Sequence, residues 1–282
     1  MTDLSSKLAI GTVQFGLNYG INNWAGQVEL QEVEKILLLA EQLKVNTLDT
    51  ARAYGNSELV LGQHNLLNWL IISKFSGGES VGESLQKSLK SIKANNLYGY
   101  LAHSSDILVK NPSYWDELLS LKSQGLIKQI GYSIYLPEQL EQLLEMGFIP
   151  DLIQVQYNVL DRRFEPWFKE LKNMGIEIHT RSSFLQGLFF LQNPSPYFEA
   201  IIGILDKIKY LYPQAGERAA ALLLFCLRNP YIDKVVIGIQ DSEELRININ
   251  ALQNIDSSIL DEIEIPEFSK DLLLPYNWPT EK

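Results

Sequence analysis

Residues 152–181 read LIQVQYNVLDRRFEPWFKELKNMGIEIHTR, and this stretch contains one complete strand–helix–strand unit. Residues 152–157 form a short β-type run, residues 164–174 have a helical pattern, and residues 176–181 form the next β-type run. Gly175 lies just past the helical pattern, at the position where a glycine commonly ends a helix. The stretch therefore predicts two strands joined by a helix, which is the building unit of a parallel sheet.

The same unit recurs along almost the whole chain. Eight β-type runs occur at residues 7–12, 45–50, 69–74, 99–103, 127–133, 152–157, 176–181 and 234–238. Helical patterns separate or follow them at residues 30–43, 57–67, 82–93, 112–124, 137–146, 164–174, 215–228 and 243–253. Gly125 and Gly147 repeat the position of Gly175 between helix and strand. The longest interruption, residues 182–213, contains three prolines and is predicted to be a functional loop.

Strict alternation of strands and helices predicts an α/β fold with a parallel sheet, and the count of eight favours a single (β/α)8 TIM barrel. The chain has 282 residues, close to the roughly 250 that such a barrel needs, so residues 1–282 are expected to form one domain. A doubly wound open sheet is the alternative. No Gly-x-Gly-x-x-Gly follows the first β-type run, so the dinucleotide fingerprint of that alternative is missing.

Composition narrows the classes of partner. The formal net charge is −10 and no Lys/Arg run stands out, which argues against nucleic acid and against an anionic membrane surface. The longest apolar run, residues 219–227, is too short to span a bilayer, and no signal peptide is visible. The single cysteine, Cys226, excludes a disulfide framework and is expected to be buried. A cytoplasmic protein is the expectation.

Polar side chains cluster where the predicted strands end. Asp49 and Tyr54 follow the second β-type run, Lys74 ends the third and His103 ends the fourth. In a barrel these positions meet at one mouth. An ammonium near a phenol lowers its pKa, so Lys74, held charged by Asp49, would make Tyr54 a better proton donor. His103 would orient the substrate oxygen. The chain has three histidines, and none has the spacing of a metal-ligand pair, so no metal is predicted.

Residues 48–58, LDTARAYGNSE, resemble the signature of the aldo-keto reductase superfamily. Lys74 and His103 complete the Asp/Tyr/Lys/His set of that superfamily in the expected order, and the similarity extends over the whole chain. The resemblance implies a nicotinamide-dependent oxidoreductase that reduces an aldehyde, a ketone or a sugar carbonyl to an alcohol. Tyr54 would be the general acid, and the cofactor would be NADP(H) or NAD(H).

The resemblance also implies a cofactor site. Ser133 and Gln154 would bind the nicotinamide carboxamide, Arg181 would stack on its ring in place of a tyrosine, and Asn248 would lie near the adenine. The full set of cofactor-binding residues implied by position is Gly11, Thr12, Ser133, Gln154, Arg181, Ser182, Ser183, Phe184, Leu185, Gly187, Gly238, Ile239, Gln240, Asp241 and Asn248.

Two departures from the family pattern bear on the cofactor. Where relatives surround the 2′-phosphate of NADPH with a cation and hydroxyl groups, this chain has Gly238, Ile239, Asp241 and Glu244, two of which are acids. Arg246 could supply a cation, so NADP(H) and NAD(H) both remain open. At Ile134 many relatives have an asparagine that binds the carboxamide; Tyr135 or water could compensate.

The substrate is less readable. Tyr19, Asn22 and Trp24 follow the first β-type run and are predicted to form a substrate wall, although an aromatic lid that only packs is the alternative. Arg52 could bind an anionic substrate or pair with Glu58. The opening and the 181–188 loop resemble reductases of bacterial surface-polysaccharide and modified-sugar pathways. That resemblance suggests a sugar or nucleotide-sugar carbonyl, with a generic small aldehyde as its rival.

Two functional classes therefore remain. One is an enzyme, monomeric or weakly homo-oligomeric, that acts on a small-molecule carbonyl. The other is a redox-sensing, cofactor-binding subunit of a larger assembly with little turnover. The intact Asp/Tyr/Lys/His set favours the enzyme.

Overall fold

The computed structural model describes residues 4–23, 25–265 and 268–279. Within these ranges the parallel strands form a closed barrel in sequence order, and β1 pairs with β8 to complete it. The strands are β1 (Leu8–Gly11), β2 (Thr47–Asp49), β3 (Leu70–Phe75), β4 (Leu97–Ala102), β5 (Ile127–Ile134), β6 (Leu152–Gln156), β7 (Glu177–Arg181) and β8 (Lys234–Gly238). The predicted (β/α)8 barrel is confirmed, and the open sheet is wrong.

Helices follow the strands and surround the barrel. They are α1 (Val13–Gly16), α2 (Leu30–Gln42), α3 (Ser57–Leu61), α4 (Val81–Ile92), α5 (Ser105–Lys110), α6 (Ser113–Ser123), α7 (Pro137–Glu145), α8 (Glu165–Asn173), α9 (Glu199–Leu211), α10 (Ala215–Leu227) and α11 (Ser242–Ala251). Gly125, Gly147 and Gly175 adopt positive φ angles of 76° to 80° after α6, α7 and α8, as their predicted capping role requires.

The main hydrophobic core lies between the barrel and the helices. Leu8, Ile10 and Leu48 on the strands are fully buried there against helical residues such as Val33 and Ile36. A smaller cluster of Ile72, Leu101 and Leu152 packs apart from this core. Ile72 is the register partner of Asp49, so both side chains point to the same side of the sheet, into the barrel.

Two predictions about elements are corrected. The predicted loop 182–213 contains the 13-residue helix α9, whose buried Ile201, Ile204, Leu205 and Ile208 have helical spacing. The neighbouring prolines concealed this pattern. The predicted helix 57–67 ends at Leu61, with Gly62 as its C-cap residue, and residues beyond it are not helical.

No helix among the described residues is both long enough and apolar enough to cross a membrane. The apolar run 219–227 lies in α10, and Cys226 within it is buried against the barrel, as expected from its neighbours.

Candidate active site

A cavity of about 900 Å³ opens at the carboxyl ends of the strands. Its walls come from strand residues of β1, β2, β5, β6, β7 and β8, from the loops after β1, β2, β4, β5, β7 and β8, and from the first two turns of α10 and α11. Asp49, Tyr54 and His103 line one end, and Asp241, Ile247 and Asn248 line the other. The volume lies in the upper part of the range for small-molecule and cofactor sites, about 300 to 1,000 Å³.

A buried ion pair forms the floor of the site. The Lys74 ammonium, with no exposed surface, lies 2.6 Å from Asp49 Oδ2 and donates to the Thr50 carbonyl at 3.0 Å. Gln154 reaches across the barrel from β6 and donates from Nε2 to Asp49 Oδ1 at 2.8 Å. Burial lowers the pKa of Lys74, and Asp49 opposes this effect by favouring the charged ammonium. Both Asp49 oxygens therefore have partners.

Tyr54 lies beside this pair. Its ring centroid is 5.2 Å from Lys74 Nζ, and its ring contacts His103 edge-on with centroids 5.6 Å apart. Burial, reinforced by the charge of Asp49, raises the pKa of Tyr54 above its ordinary value. This differs from the expected lowering of the Tyr54 pKa: the Lys74 ammonium directs its hydrogen bonds to Asp49 and Thr50, and desolvation of the phenolate outweighs the opposing charge of Arg181. Tyr54 is therefore a protonated phenol at neutral pH.

His103 is neutral over the same pH range. Burial lowers its pKa to about 4, and the positive charges of Lys74 and Arg181 contribute. A neutral imidazole has one N–H donor and one acceptor nitrogen, so it can hydrogen-bond a carbonyl oxygen without adding a full charge.

Arg181, at the end of β7, is held by neighbours on β5. Its Nε donates to Ser133 Oγ at 3.3 Å and its Nη2 to the Ile134 carbonyl at 3.2 Å. Its Cζ lies 3.9 Å from the centroid of the Tyr135 ring. The guanidinium thus stacks on an aromatic ring of the protein, which orients it at the cavity wall.

The loop after β1 and the loop after β7 contact each other at the cavity. The loop after β7 has three non-glycine residues in the left-handed region, Ser182, Leu185 and Gln186, with φ angles of 66°, 43° and 53°. Gln186 Nε2 donates to Tyr19 Oη at 2.9 Å, and the Gln186 carbonyl accepts from Ile21 N at 3.0 Å. Backbone strain of this kind persists where surrounding contacts impose it, commonly at functional sites.

Unpaired polar atoms test whether the cavity suits a dinucleotide. Gln14 Oε1, Gln154 Oε1 and Asn248 Nδ2 are buried without a hydrogen-bond partner among the described residues, and all three residues line the cavity. Buried polar groups are normally paired, so these atoms fit a bound ligand that supplies donors and acceptors. A Cβ at Gly238 would lie 2.6 Å from Gln14 Oε1, so a larger residue there would displace the Gln14 amide.

The structure brings most of the predicted site residues together along this cavity. Those that line it are Asp49, Tyr54, His103, Tyr19, Gly11, Ser133, Gln154, Arg181, Ser182, Ser183, Phe184, Gly187, Gly238, Gln240, Asp241 and Asn248. Lys74 lies beneath the cavity. Trp24 lies outside the described residues.

Three residues predicted to bind the cofactor are placed differently from the others. Leu185 and Ile239 are fully buried in the hydrophobic core, and Thr12 is fully buried, with its hydroxyl donating to the Asp49 carbonyl at 3.1 Å. None of these three side chains lines the cavity. They lie between lining residues in the sequence, but the side chains of Leu185 and Ile239 pack into the hydrophobic core and the Thr12 hydroxyl faces the Asp49 backbone.

Asn22, predicted as part of the substrate wall, lines the cavity, whereas sequence reasoning missed Gln14, Gln186, Gly216 and Ile247, which also line it. Their position in loops after strands or in the first turns of the following helices was the available signal. Arg52, left open above, pairs with Glu58 at 3.0 Å, and Glu58 also accepts from Ser73. Arg52 is thus engaged in the structure of its own loop.

Comparisons with known proteins agree with this geometry. The model of the aldo/keto reductase family matches residues 7–265. The uncharacterized oxidoreductase YqkF of Bacillus subtilis is 24% identical over 278 residues, covering 87% of this chain and 90% of YqkF. The methylglyoxal reductase DkgA of Yersinia pestis is 28% identical over 164 residues, covering 52% of this chain and 57% of DkgA. The aldo-keto reductase AKR11C1 of Bacillus halodurans shares the fold, with a TM-score of 0.73, 19% identity and 91% of each chain covered.

Proposed function

The chain belongs to the aldo/keto reductase family, and from this premise we propose that it reduces a carbonyl compound to an alcohol with a nicotinamide dinucleotide, NADP(H) or NAD(H), and with Tyr54 as the proton donor. The observation that carries the proposal is the cluster at the barrel mouth. There the half-buried Tyr54 phenol and the neutral His103 imidazole line the cavity wall, and the buried Lys74–Asp49 pair forms its floor.

The protonation states of Tyr54, His103 and Lys74 determine the role of each residue in the proposed reaction. Tyr54 keeps its proton at neutral pH and transfers it to the carbonyl oxygen, leaving a phenolate that bulk solvent reprotonates. His103 donates a hydrogen bond to the same oxygen and positions it near the phenol. The Lys74 ammonium, close to the Tyr54 ring, stabilises the phenolate while it exists, and Asp49 keeps that ammonium charged.

The dinucleotide, when bound, supplies the hydride that adds to the carbonyl carbon. Gln154 and Ser133 would bind its carboxamide: Gln154 Oε1 has no partner, while its Nε2 is held by Asp49. Arg181, fixed by Ser133 and Tyr135, would form the wall against the nicotinamide ring. Ser182, Ser183, Phe184 and Gly187 would follow the pyrophosphate, and Asn248 would contact the adenine.

For the substrate we propose a hydroxylated carbonyl compound, such as a sugar or nucleotide sugar, over a small apolar aldehyde. The support is the polar wall that includes Tyr19 and Gln186: the Tyr19 hydroxyl accepts from Gln186 Nε2, which leaves its own proton to donate to a substrate hydroxyl. We also propose that the protein acts in the cytoplasm, as a monomer or weak homo-oligomer.

The test is the Tyr54→Phe variant. Because a positioned general acid contributes about 10²- to 10⁴-fold, we expect carbonyl reduction to fall by that factor while dinucleotide affinity changes less than about twofold. Reduction is followed by loss of absorbance of the reduced cofactor, and affinity by quenching of tryptophan fluorescence. Tyr98→Phe, which alters a phenol bonded to Glu177 away from the cavity lining, is the control. Near-normal turnover by Tyr54→Phe would refute the acid role.

A further inference from the structure

The end of the cavity opposite Tyr54 and His103 is lined by acidic side chains. If the nicotinamide lies beside Tyr54 and His103, the length of a dinucleotide carries its adenosine towards the first turns of α10 and α11. Charged side chains that line this end are Asp241, Glu243 and Glu244. Among the described residues, no lysine or arginine lines it.

The first turn of α11 is already capped by carboxylates. Asp241 Oδ1 accepts from Glu244 N at 2.7 Å, and Glu244 Oε2 accepts from Gln240 N at 2.8 Å. Glu32, on α2, accepts from Ser242 N at 2.8 Å and from Ser242 Oγ at 2.6 Å. A helix N-terminus binds phosphate through its unpaired N–H groups. Here three N–H groups around that terminus are engaged by the protein's own acids.

The nearest cations do not face the cavity. Arg246 pairs with Glu243 at 3.2 Å, and Lys35 pairs with Glu32 at 2.8 Å. Hydrogen bonds from Lys35 and Ser242 lower the pKa of Glu32 to about 2, so Glu32 is ionised at neutral pH. Arg246, which the sequence left as a possible phosphate ligand, has an acidic partner on its own helix.

A second observation points to a ligand at this end. Asn248 is 2% exposed, lines the cavity and has no partner for its Nδ2 donor among the described residues. A buried amide donor without an acceptor is costly, so a ligand with ring nitrogen acceptors, such as adenine, would complete it. Asp241, Glu243 and Glu244 therefore line the same cavity as a buried donor that lacks an acceptor.

We propose that this end of the cavity selects NAD(H) over NADP(H). Asp241 and Glu244 each have a second carboxylate oxygen not used in capping, and these oxygens would accept hydrogen bonds from an unmodified ribose diol. A 2′-phosphate would bring like charge to these acids and would find the N–H groups of Gln240, Ser242 and Glu244 already bonded. The inference rests on the proposed function, since it concerns the cofactor of that reaction.

The test is titration of the pure protein with NADH and with NADPH, followed by quenching of its tryptophan fluorescence. We expect the Kd for NADH to be lower by at least about tenfold, or about 1.4 kcal/mol. Equal affinity, or tighter binding of NADPH, would overturn the inference and leave the proposed function standing. Failure of both cofactors to bind would overturn the proposed function as well.

Two variants assign the preference to the acids. Asp241→Ser keeps a capping oxygen for Glu244 N, and Glu244→Gln keeps an acceptor for Gln240 N, while each removes one negative charge. We expect each to lower the Kd ratio of NADPH to NADH by about fivefold, an effect that weakens as salt screens the charges. Glu83→Gln, in the first turn of α4, is the matched control and should leave the ratio unchanged. An unchanged ratio in both cavity variants would contradict the inference.

Discussion

At the scale of single residues, Lys74 and Asp49 form a fully buried charge pair whose members depend on each other. Lys74 has no exposed surface and Asp49 is 3% exposed, so neither charge can be solvated by water if its partner is removed. Gln154 supplies one neutral hydrogen bond to Asp49, which cannot replace an ammonium.

We therefore predict that Lys74→Met lowers the free energy of unfolding by about 3 to 5 kcal/mol, because it leaves the Asp49 carboxylate buried without a counter-charge. Urea denaturation measures the change. The double variant Asp49→Asn with Lys74→Met removes both charges and should recover at least about half of the loss. If the double variant is as unstable as the single one, the pair has no such interdependence.

His103 gives a prediction about pH. Its pKa is lowered to about 4, so the native protein does not take up this proton as the pH falls from 6.5 towards 4, whereas the unfolded chain does. The contribution of His103 to stability is thus present above pH 6.5 and is lost progressively between pH 6.5 and 4. The chain has only three histidines, so NMR titration with His103→Gln for assignment measures this pKa directly. A midpoint near 6.5 would contradict the burial argument.

At the scale of elements, the turn that carries Tyr54 is fixed by its contact with α1. Gly16 ends α1, and a Cβ at this position would lie 1.9 Å from the Tyr54 carbonyl oxygen and 2.5 Å from Ser57 N. The contact involves backbone atoms, so no side chain can rotate away to relieve it. The absence of a side chain at Gly16 thus allows the turn that carries Tyr54 to pack directly against the end of α1.

We predict that Gly16→Ala lowers the free energy of unfolding by about 1 to 3 kcal/mol and reduces carbonyl turnover by at least about tenfold, because it displaces the turn between β2 and α3. Thermal unfolding and steady-state kinetics measure the two effects. Gly203→Ala is the matched control: this exposed glycine lies inside α9 with nothing within 4 Å of an added Cβ. It should raise stability by about 1 kcal/mol with unchanged turnover. Normal turnover in Gly16→Ala would contradict the positional argument.

At the scale of the whole molecule, the barrel is closed by β1 and β8, so the described sheet has no open edge for another chain to extend. The most exposed large apolar side chains include Leu67, Ile149 and Tyr210, which belong to three different segments. Isolated apolar residues of this kind are normal on a protein surface.

We therefore predict a monomer of about 32.1 kDa, or at most a weak homo-oligomer, in sedimentation equilibrium. The physical reason is that a stable interface buries at least about 1,000 Å² with an apolar centre. A tight oligomer that also turns over no carbonyl compound would favour the alternative of a redox-sensing subunit. A monomer that reduces carbonyl compounds would exclude it.

The sequence by itself determined the barrel and the residues of its mouth. Hydrophobic residues recur with a period of 2 in strands and 3.6 in helices, which shows which side of each element is buried. This local pattern is sufficient to count the βα units and to find Asp49, Tyr54, Lys74 and His103 at or just after strand ends. The pattern did not predict that the side chains of Thr12, Leu185 and Ile239 are buried away from the cavity while their neighbours line it.

Only the tertiary structure decided which distant groups meet. The contact of Gln154 with Asp49 joins residues 105 positions apart, and the contact of Glu32 with Ser242 joins residues 210 apart. Arg181 stacking on Tyr135 and the raised pKa of Tyr54 likewise depend on closure of the barrel, which removes water and brings opposite strands together. Local patterns cannot specify such contacts, because they encode burial along one element and not the partner that buries it.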